Sequence, residues 1–416
     1  MKELFRAGTK RGFYGILGIA FLLRLLWIFW SPAVPTSDAA TYDLVAQRLV
    51  AGEGYVLRGQ LSAYWPVGYP AFLAAVYMLA GHELLVVKLL QAVLSVGTIV
   101  LVYRIGALVF NDIVGRLAAL ILSFSPNQIA YVSVLMSEVL FTFLFAGAIY
   151  LWLLFRSRAS APLTYGWVGL VLALACYVRP VPLLLPGLLF AYEVCAGRNR
   201  LKRVKEYFCL LVCMGLAIAP WTLRNWKALG HPVILSTNGG INFLMGNNPS
   251  ATGKYQEIEN ENVRNVWDNE VERERTAYAE GTRFIQSHPG AFVLLALKKM
   301  YFLLHTDWDG IYENFRQTAA PIGRALRYSL YFLCQTHYVL SLGLFCLAGS
   351  RRECWNKELI LLWFALFYWV GIHMIIVAEP RYHFPIMPII YLFAATAAAS
   401  LIKASRSSAA ARAVSA

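Results

Sequence analysis

The sequence predicts an all-α polytopic membrane protein of about ten transmembrane helices (10–12), with interfacial helices and an outer loop region. Three observations predict it. Of the 416 residues 59% are apolar and only 14% charged, with mean hydropathy +0.55. Soluble domains carry about 45–50% and about 25%. Apolar runs recur at lengths near the ~20 residues that cross about 30 Å of hydrocarbon. Every second loop between those runs is short and basic, as the positive-inside rule requires. Together these exclude a cytosolic enzyme, a disordered chain and a secreted disulfide scaffold.

The net charge of +14 arises from 37 Lys and Arg against 23 Asp and Glu. In a soluble protein it would suggest nucleic acid. Here the basic residues collect in loops and orient the chain, so no nucleic-acid partner is expected. The seven cysteines (176, 195, 209, 213, 334, 346 and 354) lie in or beside apolar runs. They form no Cys-x-x-Cys or Cys/His pattern, so neither zinc nor a disulfide framework is expected.

Taken in order, Lys2, Arg6, Lys10 and Arg11 precede an apolar run from Phe13 to Trp30, which reads as an uncleaved signal-anchor. Further spans are expected at 84–109, 114–132, 138–155, 163–178, 181–197, 206–223, 326–349, 358–377 and 385–403. The inner loops then hold Arg104 and Arg116; Arg156 and Arg158; Arg198, Arg200, Lys202, Arg203 and Lys205; Arg351, Arg352 and Lys357; and Lys403, Arg406 and Arg412. Both termini are expected on the cytoplasmic side of the membrane. Residues 31–83, 133–137, 179–180, 224–325 and 378–384 are placed outside. Segments 66–80 and 290–304 are apolar but short, and single crossings would invert the basic loops downstream. They read as interfacial helices.

The organisation expected is a membrane module over 1–223 with a first outer loop (31–83), a loop or lid over 224–290, and a C-terminal part over 291–416. Within the lid, residues 257–287 space apolar side chains at helical intervals and predict one amphipathic helix. The Ala/Ser-rich tail predicts disorder.

Ionisable residues near hydrocarbon are functional candidates, and several converge on the outer face. Asp38 follows the first span; it suits either a helix N-cap with Ser37 or a general base. Glu138 opens a span, where a carboxylate also favours the helix dipole. Arg179, Arg224 and Arg381 lie at outer ends of spans. Each alone suits snorkelling, whereas three together beside carboxylates suit an anionic headgroup. Tyr42, Tyr64 and Trp65 add aromatics that form either an interfacial belt or a sugar platform. Asn247 is a turn former or a hydroxyl-binding amide, and Tyr382 and His383 flank Arg381.

The ordered set of the outer Asp38, WPVGYPAF (65–72), SEVLF (137–141), Arg179-Pro180, PWTLRNW (220–226), STNGGINFLMGNNPSATGKY (236–255) and EPRYHFPIMP (379–388) resembles bacterial GT-C fold glycosyltransferases. The nearer branch is related to protein O-mannosyltransferases and lipid A aminoarabinose transferases. The resemblance runs from about Thr36 to Pro388. It implies that a sugar moves from a polyprenyl-phosphate donor to an acceptor (lipid-linked glycan, polysaccharide or protein) at the outer face. No nucleotide loop is needed, and none is found.

By position the resemblance gives Asp38 as the essential carboxylate. Many members follow it with Glu; here Ala39 follows, leaving Glu138 as the candidate second carboxylate. Arg224, Arg381 and Tyr382, with Arg179, would bind the lipid phosphate. Tyr42, Tyr64, Trp65, Asn247 and His383 would contact substrate. The chemistry is an inverting displacement without cofactor, and a divalent metal is not expected. A transporter or flippase, and a polysaccharide polymerase or ligase, are the rival readings. The lack of repeated halves and the clustering of polar residues at one face favour interfacial chemistry.

Overall fold

The computed structural model describes residues 10–31, 33–158, 160–196, 200–316 and 322–415. Lys2, Arg6 and Arg198 of the basic segments lie outside them. Each of the ten apolar runs is helical, because in hydrocarbon a helix is the one open-ended structure that satisfies its own backbone. The chain opens with α1 (Lys10–Trp30). The first outer loop then carries α2 (Asp38–Val50), a hairpin of β1 (Val56–Leu57) and β2 (Gln60–Leu61), and α3 (Gly68–Ala80). The hairpin turns on Arg58 and Gly59, both at positive φ.

The membrane bundle continues with α4 (Leu84–Val109), α5 (Asp112–Ser123), α6 (Pro126–Ala130), α7 (Glu138–Ser157), α8 (Tyr165–Val178), α9 (Leu185–Ala196) and α10 (Arg200–Leu229). The outer segment holds α11 (Gly239–Gly246), α12 (Glu261–Asn265) and α13 (Glu270–Ser287). It leads into α14 (Pro289–Leu304) and the short α15 (Asp309–Phe315). Three helices close the chain: α16 (Arg324–Gly349), α17 (Ile360–Ile375) and α18 (Met387–Ser415).

Among the described residues six helical segments are long and apolar enough to cross a bilayer: Arg11–Trp30, Leu84–Val109, Glu138–Ser157, Arg200–Leu229, Arg324–Gly349 and Pro380–Ser405. The run expected as one span over 114–132 is broken. Asp112–Ser123 and Pro126–Ser133 meet at 60°, and count as a seventh if taken together. Pro126 explains the break: it has no amide to donate, and it opens the new helix as an N1 residue. Pro162–Val178, Val181–Cys195 and Ile360–Ile375 are shorter apolar helices, as is α3.

Two further expectations change. The amphipathic stretch 257–287 is two helices, split at 266–269, with Asn260 and Asn269 each accepting an amide hydrogen bond as N-caps. The tail is helical to Ser415 rather than disordered, since Ala, Ser and Arg in sequence carry no helix breaker.

Close helix contacts are set by glycine. A Cβ on Gly106 of α4 would lie 2.6 Å from Gly115 Cα of α5, and one on Gly169 of α8 would lie 2.1 Å from the Leu210 carbonyl of α10. One cation is sunk into this core. Arg24 of α1 is fully buried; its Nε donates to Ser95 Oγ at 2.8 Å, and its Nη1 to the carbonyls of Ala20 at 2.9 Å and Ser123 at 3.4 Å. Helices α4, α7, α8 and α10 pack in series beside it, with α18 against α5 and α16.

Candidate active site

One end of the bundle gathers Asp38, Glu138, Arg179 and Arg381. Ser37 adopts φ 51°, a left-handed conformation that a non-glycine residue adopts at a cost. It makes no side-chain cap, so the capping alternative for Ser37 is not realised. The next residue, Asp38, starts α2. Its Oδ2 accepts from Arg381 Nη1 at 3.0 Å, bridging 343 positions of sequence. Arg381 follows Glu379-Pro380 in the turn before α18. Its Nε lies 3.2 Å from Glu379 Oε2, an ion pair off hydrogen-bonding geometry. All three charges keep partial exposure: 22% for Asp38, 19% for Arg381 and 27% for Glu379. They are therefore open to a ligand.

A second pair stands close by. Arg179 caps the end of α8. It donates from Nε to Ser137 Oγ at 2.9 Å and from Nη2 to Glu138 Oε1. Glu138 is fully buried, and its Oε2 finds no partner. Its carboxylate is therefore shut away from any acceptor, and its contact is with Arg179. Tyr382 joins the two pairs: the guanidinium of Arg179 lies 5.8 Å from its ring and that of Arg381 5.3 Å. The His373 ring lies tilted against the same ring, centroids 5.4 Å apart. Buried Tyr42 packs edge-on against Trp65 and Tyr69, and burial followed by the Asp38 charge pushes its phenol well up, so it stays neutral.

The remaining expected residues divide. Tyr64 and Trp65 are half-buried, with ring centroids 5.2 Å apart, beside Tyr42. Arg224 is engaged elsewhere. Its Nη1 donates to the Ser62 carbonyl at 2.6 Å and its Nη2 to the Tyr55 carbonyl at 3.1 Å, while its plane lies over Trp221. It fastens the first outer loop. Asn247 is fully buried, donating to the Phe243 and Ile375 carbonyls and accepting from Lys299 Nζ, so it braces the outer segment. His383 is buried between the Leu303 carbonyl and Asp307, 3.1 Å from the carboxylate.

Several site residues escaped the sequence reading. Glu379 was visible inside its motif yet given no role. Asp307 accepts from His383 and Asn127 under the site. Asp309 is pushed up to about 7 by burial, with His383 and Arg381 opposing and Glu379 and Asp307 adding to the rise. Glu270 and Arg273 of α13 reach the first loop: Glu270 accepts from Ser62 Oγ and the Ala63 amide, both at 2.7 Å. The available signal was the scarcity of acids in this chain. An acidic pair such as Asp307-Trp308-Asp309 next to an apolar run stands out by composition.

Chemically, the arrangement offers a reachable carboxylate, two guanidinium groups for an anion, and aromatic walls. Among the described residues no group of three or more His, Cys, Asp or Glu is disposed to hold a metal ion. Known proteins bear on this geometry. Residues 65–223 match the model of the dolichyl-phosphate-mannose-protein mannosyltransferase family. No curated protein matches the chain.

Among solved structures, the chain is similar to the Archaeoglobus fulgidus oligosaccharyltransferase tethered with an acceptor peptide containing the NVT sequon. The identity is 13% and the TM-score 0.55, over 95% of this chain and 50% of that one. It is similar to AglB from the same organism in complex with an inhibitory peptide and a dolichol-phosphate, at 12% and 0.54, over 94% and 50%. ArnT from Cupriavidus metallidurans bound to undecaprenyl phosphate aligns at 11% and 0.45, over 94% and 77%, too loosely to argue from. The chain spans about half the length of the archaeal structures it matches.

Proposed function

We propose that this chain, which has the GT-C fold and carries over residues 65–223 a match to the dolichyl-phosphate-mannose-protein mannosyltransferase family, is a membrane glycosyltransferase. It moves a monosaccharide from a polyprenyl-phosphate carrier to an acceptor hydroxyl. The observation that carries this reading is the Asp38–Arg381 pair. A partly exposed carboxylate and a partly exposed guanidinium share one end of the bundle, with Arg179 and Tyr382 alongside.

In the mechanism, the acceptor oxygen attacks the anomeric carbon from the face opposite the carrier. Its proton passes to Asp38. The bond from the anomeric carbon to phosphate oxygen breaks, and the electron pair leaves with polyprenyl phosphate. The configuration inverts. The phosphate goes from monoanion to dianion, so cations already in place lower the barrier. Arg381 and Arg179 supply them. A phosphate drawing on Arg381 also loosens its hold on Asp38, leaving that carboxylate to take the proton. Glu138 acts as a positioning residue that holds Arg179, and Arg224 holds the loop on which Asp38 rides. No step requires a metal ion.

We read the site end as the outer side. Helix α7 begins at Glu138 and carries Arg156 in its last turn, and Arg156 joins Arg203, Glu193 and Glu206 in a charged cluster at the far end. Basic residues there suit the cytoplasmic face.

The test uses the purified full chain with polyprenyl-phosphate mannose and related donors, following release of polyprenyl phosphate. Asp38→Asn keeps the shape and removes the base. It is expected to lower turnover by about a hundredfold or more while the protein stays monodisperse. Wild-type turnover in Asp38→Asn would overturn the assignment.

A further inference from the structure

A cavity of about 910 Å³ lies between the first outer loop and the start of α13. Thr41, one turn beyond Asp38 on α2, opens onto it, as do Tyr64, Trp65 and Trp267. Glu270 and Arg273 come from the other wall. Through Thr41 the cavity lies one helical turn from the reacting carboxylate of Asp38.

Arg273 has an unusual setting within it. The residue is 7% exposed, and its guanidinium sits 5.0 Å from the Tyr64 ring and 4.8 Å from the Trp267 ring. Its Nη1 donates to the Trp267 carbonyl at 2.6 Å, and its Nε is buried without a partner. No carboxylate forms a direct ion pair with it among the described residues, although the charges of Glu270 and Asp268, which line the same cavity, act on it from further off. Glu270 is itself occupied by Ser62 and Ala63. A buried cation without a directly bonded counter-ion is costly, and an incoming anion lowers that cost. The exposed Arg58 adds a second positive group at the mouth. Flat aromatic faces with amides and hydroxyls around them suit sugar rings, whose axial C–H faces stack on them.

We infer that this cavity is the acceptor site and that its ligand is a saccharide bearing an anionic substituent, held by Arg273 between Tyr64 and Trp267. The inference rests on the transferase reading above and names the acceptor that reading leaves open. The two sources of the anion, a uronate carboxylate and a sugar phosphate, share the chemistry that Arg273 recognises.

Binding is measured on the full chain in nanodiscs, apart from turnover. The probes are tetragalacturonate, its fully methyl-esterified form, and a phosphorylated mannose oligosaccharide; the readout is tryptophan fluorescence and calorimetry. At least one anionic probe is expected to bind about tenfold or more tighter than the neutral ester, and which one binds identifies the source of the anion. Arg273→Gln should remove that preference. Arg273→Lys, which keeps the charge and not the plane, should retain part of it. Arg58→Gln, on an exposed turn, should weaken the anionic probe by a smaller factor with folding untouched.

Equal binding of ester and acid, binding of no probe, or an unchanged preference in a folded Arg273→Gln protein would each overturn the inference. Asp38→Asn separates the two claims. If it abolishes turnover while no anionic saccharide binds, the acceptor assignment fails alone. If it leaves turnover intact while Arg273-dependent binding persists, the catalytic reading fails alone.

Discussion

At the scale of single residues, the site is a problem of charge neutralisation. Arg381 faces both Asp38 and Glu379, so one cation already stands against two carboxylates before any donor arrives. A phosphate adds charge, and the guanidinium can serve it bidentately, because an arginine presents five donors in one plane. Arg381→Ala removes that plane. Donor affinity is expected to fall by about tenfold or more, measured by titration with polyprenyl phosphate, with a smaller change in thermal stability. Unchanged affinity would return Arg381 to the snorkelling reading. Individual charged residues were legible in the sequence because acids are rare in so apolar a chain. Their pairing was not: Asp38 and Arg381 stand 343 positions apart, and a carboxylate at a helix start looks the same whether it faces an arginine or solvent. Arg224 shows the converse. Its position suggested phosphate, yet two backbone carbonyls of the first loop claim it.

At the scale of elements, the outer helices owe their placement to polar side chains aimed at backbone. Helix α13 touches the first loop through Glu270 and packs on α11, where a Cβ on Gly240 would lie 2.2 Å from the Glu274 carbonyl. Contact this close buries the Glu274 carboxyl. Burial, reinforced by the charge of Glu270, pushes it up to about 7 from 4.5. Between those values the folded segment binds a proton that the unfolded chain does not. Stability from this group is therefore full below about 4.5 and is lost as pH rises through 7. Glu274→Gln is expected to raise the melting temperature at pH 8 and leave it nearly unchanged at pH 5. A gain of equal size at both pH values would show that ionisation is not the cause. The split between α12 and α13 was hidden from the sequence, since apolar spacing continues across it and the two asparagine caps resemble any other polar residue.

At the scale of the whole molecule, lipid as solvent explains why the fold was the most legible part. Every apolar run became a helix because hydrocarbon offers backbone amides no other partner. What stayed hidden was the bend at Pro126 and the shortness of Ile360–Ile375. Orientation is open to a direct check. A membrane-impermeant maleimide is expected to label Glu259→Cys in intact cells, and Arg158→Cys only after permeabilisation. The reverse pattern would put the site on the cytoplasmic side.

The buried arginine of α1 has a consequence for how the chain is assembled. An arginine at the centre of a lone helix costs about 2.5–3.5 kcal/mol on insertion scales. Part of its relief is local, from the Ala20 carbonyl one turn back in α1; the rest comes from Ser95 of α4 and the Ser123 carbonyl of α5, the latter 99 residues further along. Those last two contacts exist only once α4 and α5 have packed on α1, so the seating of α1 is coupled to helices that come later in the chain.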